Sequence, residues 1–398
     1  MIRQFARRAA AAASVCALAM SPAACAFADA EGAGDNAVKI GWVAPVTGNL
    51  SQVGEEMQAA FELYLDINGN RLGGREVELT SVDEGNGPDD VMPDVERMIK
   101  EDEVETVGGV LQGDSMMAIS SLTQENEIPL VAAGGRPPLT EDQLENVWHT
   151  SWVNEDTGKA IAPYVLDKID GPVYVMGPDY AGGHANVAGF AEAYKDLGGE
   201  LANDGGEPTW TPYPGTSDFT QYLDEVAASD AEAVFAFYGG ADSVDFIKQY
   251  AESDVKDLPL FSNFLTEGND LEAQGEEALG IASAIPYSPD LDNSVNREFI
   301  AEWSAVEENT PSIAAVAAWD VGVVLDAAIA RIPADEEVTG AKIDEAVAEL
   351  GEVKSPRGDW QFGPKTHAPI QRYYLREVRL DGDVLSNVVI QDLATLGE

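Results

Sequence analysis

"KIGWVAPVTGNLSQVG", residues 39–54, decides the fold. Lys39 to Ala44 is a nearly continuous apolar run, the pattern of a strand covered on both faces. Pro, Thr, Gly, Asn, Ser and Gly follow, and a helix opens directly after them. Small hydroxyl and glycine residues at that junction leave backbone N–H groups and hydroxyls beside a helix N-terminus. Such a junction holds small polar or anionic ligands, which makes Ser51 a candidate contact.

The same strand-then-helix unit recurs outward from this stretch. "EEMQAAFELYLDING" sets Met57, Ala60, Phe61, Tyr64 and Leu65 on one helical face, with Gly69 beyond its end. "REVELTSVDEG" is a strand, "PDDVMPDVERMIKEDE" a helix with proline at its start, "VETVGGVLQ" a strand, "DSMMAISSLTQENE" a helix and "IPLVAAGG" a strand. After "VWHTSWVNED" the alternation resumes with "TGKAIAPYVLDKI", "GPVYVMGPD", "GHANVAGFAEAYKDLG", "AEAVFAFYGG", "ADSVDFIKQYAESD" and "LPLFSNF". "IASAIPY" and three helices follow, and the tail "PIQRYYLREVRLDGDVLSNVVIQDL" predicts a hairpin turning at Asp381-Gly382. This is an α/β chain with parallel sheets covered by helices. The strands are too many for one sheet, so two Rossmann-like lobes are expected, with ligand bound beyond the carboxyl ends of the strands.

Composition narrows the function. The 398 residues are enough for two domains, and 45% hydrophobic residues exclude a disordered chain. Asp and Glu number 71 against 23 Lys and Arg, a net charge of −48. That field repels phosphate backbones and anionic lipids, so no nucleic-acid partner is expected. The acids are spread along the whole chain, which fits solubility better than a docking surface.

Residues 1–30 have a basic start at Arg3, Arg7 and Arg8, a short apolar run and small residues before "AFADA". That is a secretory signal peptide, followed by a polar linker over 31–37. Both cysteines, Cys16 and Cys25, lie in this leader, so no thiol chemistry is expected of the mature chain. "PAAC" partly matches a lipobox, which leaves anchoring of the chain by a lipid on Cys25 as an alternative to simple cleavage. Either way the protein is expected outside the cytoplasm, in the periplasm or cell envelope. No later segment reaches the about 18 apolar residues of a membrane span.

Catalytic signatures are missing. The three histidines, His149, His184 and His367, form no H-E-x-x-H array. "GDSMM" is not a nucleophile elbow, and no phosphate-cradling or dinucleotide fingerprint follows a strand. "DLDNSVN" lacks the glycine and terminal Glu of a calcium loop. Neither an enzyme nor a cofactor is expected.

The order of motifs resembles the branched-chain amino-acid-binding family of periplasmic-type solute-binding proteins, the receptors of ABC importers. Residues 39–79 resemble its opening segment, with the Thr-Gly loop, Ile-Asn and Gly-Gly-Arg. "VGGVLQGDSMMAISSLTQENEIPLVAAGGRPPLT", "VYVMGPDYAGGHANVAGFAEAYKDLGGE" and "PYPGTSDFTQYLDEVAASDAEAVFAFYGGADSVDFIKQ" resemble its next landmarks. "LTEGNDLEAQGEEALGIASAIPYSPDLDN" and "PSIAAVAAWDVGVVLDAAI" continue the match through the mature chain. The resemblance implies a type I periplasmic binding protein fold, two lobes joined by a three-segment hinge. Lobe 1 would be 38–152 plus 286–355, and lobe 2 would be 153–285 plus 356–398. It also implies a monomer that closes on a small carboxylate, an amino acid or an aromatic acid, and delivers it to a permease.

By that resemblance the carboxylate meets Ser115, Gly134 and Gly135, and Tyr180 lies against the ligand. Ser115 serves equally well as a plain helix cap. Arg136 either pairs a carboxylate or points outward, and Asp114 is a helix-start acid or a partner for a cation. The family's ammonium-gripping acid falls near Leu265, with Glu267 the nearest substitute. Without that acid the site would suit a carboxylate that has no amine. Trp42, Trp152, Trp319 and Tyr238 are candidates for a stacking wall, with core packing as the alternative for each.

Overall fold

The computed structural model describes residues 37–382 and 384–398; the signal peptide and most of the linker lie outside the described residues. The opening stretch folds as expected. β1 (Val38–Ala44) is buried along nearly its whole length, and α1 (Ser51–Ile67) starts after the loop. Then come β2 (Arg71–Leu72), β3 (Arg75–Asp83), α2 (Pro88–Lys100), β4 (Thr106–Gly109), α3 (Gly113–Glu125), β5 (Leu130–Ala132) and β6 (Val147–His149). The next group is α4 (Asn154–Lys168), β7 (Val173–Pro178), α5 (Ala181–Asp196), β8 (Thr209–Thr211), α6 (Thr220–Ala228), β9 (Ala233–Ala236) and α7 (Ala241–Glu252). β10 (Leu260–Ser262), α8 (Gly268–Gln274), β11 (Ala282–Ile285), α9 (Ser294–Trp303), α10 (Ile313–Ile329) and α11 (Gly340–Ala348) follow. β12 (Gln361–Phe362), β13 (Pro369–Asp381) and β14 (Val384–Leu396) end the chain.

These strands form two sheets. The first has the order β2-β3-β1-β4-β5-β6, and the second β12-β13-β11-β10-β9-β7-β8 with β14 beside β13. Two sheets, each wound with helices, are the two lobes. Both sheets are mixed, where the repeated strand-then-helix units implied parallel ones. β2 runs antiparallel to β3 across a tight glycine turn, and the long β13 enters the second sheet antiparallel to β11. The terminal hairpin fixes only β14 against β13; the pairing of β13 with β11 joins segments far apart in the chain.

One apolar cluster runs through both sheets, and each sheet adds a smaller cluster of its own. Trp42 stacks on Phe61 at 4.1 Å, which makes Trp42 a core residue rather than a ligand wall. Trp319 meets Tyr64 and Phe299 edge-on, the favoured aromatic geometry, and is likewise engaged in packing. Helix α10 is apolar all round because it is buried against α1 and the sheet, and its one buried acid, Asp320, pairs with Arg357 at 2.8 Å. That Arg357 also donates to the carbonyls of Thr150 and Ser151, and Gln371 Nε2 donates to Ser151 O at 2.7 Å. These bonds tie residues 150–151, α10 and the 357–371 segment together. Among the described residues no helix is long and apolar enough to cross a membrane.

Candidate functional site

The carboxyl ends of both sheets' strands face one another across a cavity. From the first sheet, Leu50 follows β1, Leu111 to Gly113 follow β4, and Gly135 follows β5. From the second, Tyr180 and Gly182 follow β7, Phe237 and Gly239 follow β9, and Phe264 follows β10. Trp152 and Asn154, where the chain passes between the sheets, complete the wall with Asn186. Rings and aliphatic groups dominate this lining, and no Asp, Glu, Lys, Arg or His belongs to it.

Part of its polarity comes from backbone. Gly113 opens α3 and Gly182 lies in the first turn of α5, and the two approach closely across the cavity: a Cβ on Gly113 would lie 3.6 Å from Gly182 N. First-turn N–H groups have no partner inside their own helix, and two such ends together carry partial positive charge. Trp152 adds an indole Nε1–H that is buried and has no hydrogen-bond partner. Asn186 is tied down: its Oδ1 accepts from Thr157 and Asn263, and its Nδ2 donates to Gly182 O at 2.9 Å. The cavity thus offers donors, aromatic faces and no fixed charge.

Contacts across the cavity mouth hold the two sides together. Tyr180 stacks on Tyr213 at 4.4 Å, and Tyr213 Oη donates to Gln112 Oε1 at 2.9 Å. Ala181 N donates to Asp114 Oδ2 at 3.5 Å, and Ala241 N to Asn49 O at 3.1 Å. Behind Gln112, Glu84 accepts both Leu111 N and Gln112 N at 2.8 Å; burial pushes its carboxyl up to about 7 despite those bonds. Asp242, behind Tyr213, is pushed up to about 7 by burial and by Asp245.

Of the residues read from the sequence, Gly135, Trp152 and Tyr180 line the cavity. Asp114 bridges its rim, and Ser51 is the residue after the lining Leu50. Ser115 is not a cap, because α3 begins at Gly113; its hydroxyl is buried beside Glu84 without hydrogen-bond geometry. The structure does not bring the other four to the wall. Gly134 N already donates to Val110 O at 2.8 Å, so it offers no free amide. Arg136 does not face solvent: it is buried, and its terminal guanidinium nitrogens donate to the carbonyls of Pro137 and Leu139. Tyr238 packs in the second sheet's core against Phe219 and Phe246. Glu267 is buried in an ion pair with Arg376 and also accepts Ile313 N at 3.2 Å, which rules it out as a free partner for an ammonium.

Sequence reasoning missed Leu50, Leu111, Gln112, Asn154, Phe237 and Phe264. Each lies within a few residues of a strand end, and that position was the available signal.

Two mixed sheets whose strand ends enclose one uncharged, donor-rich cavity define a two-lobed small-molecule binding protein. The chain belongs to the periplasmic binding protein family, whose model matches residues 37–383. It is 28% identical over 374 residues to Leu/Ile/Val-binding protein homolog 6 of Brucella melitensis, covering 91% of this chain and 93% of that one. Among solved structures it is similar to an ABC-transporter solute-binding protein from R. palustris in complex with benzoate. That match has a TM-score of 0.81 and 27% identity, covering 90% of this chain and 97% of the other. A branched-chain amino acid transporter protein, LivJ of Streptococcus pneumoniae, shares the fold at a TM-score of 0.74 and 18% identity, covering 89% and 99%. The family consists of extracytoplasmic solute-binding proteins, not enzymes.

Proposed function

We propose that this protein captures one small, amine-free aromatic carboxylate between its lobes and delivers it to the membrane permease of an ABC importer. The observation that carries this reading is the lining: aromatic and aliphatic side chains, two helix N-termini, and no charged side chain. The donors suit a carboxylate. The rings of Tyr180, Trp152, Phe237 and Phe264 suit a planar apolar body. An amino acid would bring an ammonium group into this wall with no acid to pair it, which is costly in a buried site. The benzoate-bound relative from R. palustris supports the same chemistry.

In this reading the lobes are residues 38–152 with 286–355, and 153–285 with 356–398. The ligand carboxylate lies against the first turn of α3, Gly135 and Trp152 Nε1, and Tyr180 covers its ring. A branched-chain amino acid is the second reading, favoured by the name of the Brucella relative.

A thermal-shift panel of benzoate, 4-hydroxybenzoate, leucine and isoleucine on the purified protein decides between them. A ligand at a hundred times its Kd adds about 2.7 kcal/mol of stability. Benzoates should shift the transition while leucine and isoleucine leave it in place. The reverse pattern would overturn the proposal.

A further inference from the structure

Two hydrogen bonds join the walls of the cavity, Tyr213 Oη to Gln112 and Ala241 N to Asn49 O, and a ligand held between lobes is released only when such contacts part. On the reading that this cavity is the ligand site, whatever latches the walls sets affinity without touching the ligand. One side chain is placed for that. Glu56, on the buried face of α1, accepts Asn269 N of α8 at 2.7 Å and Asn309 Nδ2 at 2.8 Å, both on Oε1. The approach is close: Gly268 has a φ of +43°, and a Cβ there would lie 2.1 Å from Glu56 Oε1. One residue beyond Asn269, Asp270 Oδ2 accepts Gly240 N at 2.7 Å, next to the wall residue Gly239. Glu56 therefore reaches from the first sheet's helix, through α8, to the second sheet's cavity wall.

The second carboxyl oxygen, Glu56 Oε2, is buried with no partner, and so are Asp270 Oδ1 and Asn309 Oδ1. The Ser312 hydroxyl lies beside Glu56 and the Ser243 hydroxyl beside Asp270, but neither carboxylate has a cation to balance it among the described residues, and a proton on Glu56 supplies the missing donor. The charged groups facing Glu56 are both acidic, Asp270 on α8 and Glu267 just before it, and Ser312 just before α10 adds a hydroxyl. Arg376, the nearby cation, is already bound to Glu267. We infer that Glu56 is a positioning residue for ligand capture, a protonated latch between α1 and α8 that forms as the cleft shuts, so that closure takes up a proton. Burial pushes the Glu56 carboxyl up to about 8 in the closed structure, and Asp270 up to about 7.

The sign follows from linkage. A carboxyl whose pKa is raised on closing favours the closed state at low pH, and that advantage is lost as pH rises toward the raised value. Ligand affinity should therefore weaken from pH 5.5 to pH 8, by up to about tenfold per pH unit for one proton. Glu56→Gln, which keeps a hydrogen-bonding group without a charge, should flatten that dependence to the share Asp270 carries, whereas a residue that merely packs would leave the pH profile unmoved.

Two measurements test this. Small-angle X-ray scattering of the ligand-free protein should give a smaller radius of gyration at pH 5.5 than at pH 9, and a clearly smaller difference for E56Q. Calorimetric titration with 4-hydroxybenzoate across pH 5.5–8 should show a steep profile for the wild type and a flattened one for E56Q. A radius that does not respond to pH, or an E56Q variant that follows the wild type, would overturn the latch. Absence of 4-hydroxybenzoate binding at every pH would count against the ligand reading alone, because the scattering still decides the latch.

Discussion

The Tyr213 hydroxyl donates to Gln112 Oε1 at 2.9 Å, joining the two sides of the cavity above the lining ring of Tyr180. Gln112 is itself fixed: its Nε2 donates to Gly85 O at 3.0 Å and its backbone N to Glu84. The clasp is preorganised on one side, so its making or breaking falls on the ligand's escape rather than on its entry. Tyr213→Phe keeps the stack on Tyr180 and deletes only this bond. A typical net hydrogen bond is worth about 0.5–1.5 kcal/mol. We therefore expect ligand affinity to fall by about 2- to 13-fold, carried mainly by a faster off-rate in stopped-flow displacement.

Trp152 is the cavity's one unpartnered side-chain donor of indole type, 4% exposed and 3.0 Å from where a Cβ on Gly135 would sit. Trp152→Phe keeps an aromatic wall and removes the Nε1–H. Hydrogen bonds to charged groups are worth about 1.5–3 kcal/mol, so carboxylate affinity should drop by about 10- to 150-fold with little change in Tm. An unchanged Kd in titration calorimetry would place the ligand's carboxylate elsewhere in the cavity.

How much of this was legible beforehand can be argued residue by residue. The stretch from Lys39 to Gly54 carried the fold, because a doubly covered strand and a glycine-hydroxyl loop before a helix leave few alternatives. Tyr180, Gly135 and Trp152 were reachable because they follow strand ends or the crossing between the sheets. Glu267 and Arg136 misled for one shared reason: their partners, Arg376 and the carbonyls of Pro137 and Leu139, are set by tertiary packing and not by local pattern. Tyr238 was misplaced by one step. It directly follows the lining Phe237, and adjacent side chains in an extended segment point to opposite faces. The antiparallel entry of β13 was hidden too, since the hairpin is local but its pairing with β11 spans about a hundred residues.

The buried pair of Glu267 and Arg376 makes a stability prediction that also tests the correction to the site. Arg376 donates to Tyr287 O at 2.9 Å and to Ser283 Oγ, so both charges are desolvated and neither has water to fall back on. Removing one partner of such a pair costs about 3–5 kcal/mol, because the other is left as an uncompensated buried charge. Glu267→Gln should therefore lower urea stability by an amount in that range. Glu267→Gln with Arg376→Met should recover much of the loss. If Glu267→Gln instead abolished ligand binding at unchanged stability, Glu267 would belong to the site after all.

The surface sets the last expectation. With 71 acidic residues against 23 Lys and Arg, most carboxylates have no cation available to them. Ion pairs do form at the surface, as between Arg297 and Asp292 or Lys354 and its neighbours Glu352 and Asp359. Salt screens both the attraction in such pairs and the repulsion among the unpaired acids, and the two effects oppose each other. Exposed pairs are each worth only about 0–1 kcal/mol, and the excess of acids leaves repulsion as the larger sum. Raising salt from 0.1 M to 1 M shortens the screening length from about 10 Å to about 3 Å, which silences repulsion between neighbouring surface acids. The urea midpoint should therefore rise with salt, and by the same amount for NaCl and KCl if screening is the cause. A midpoint that falls with salt would mean that the few ion pairs outweigh the repulsion, contrary to what a net charge of −48 dictates.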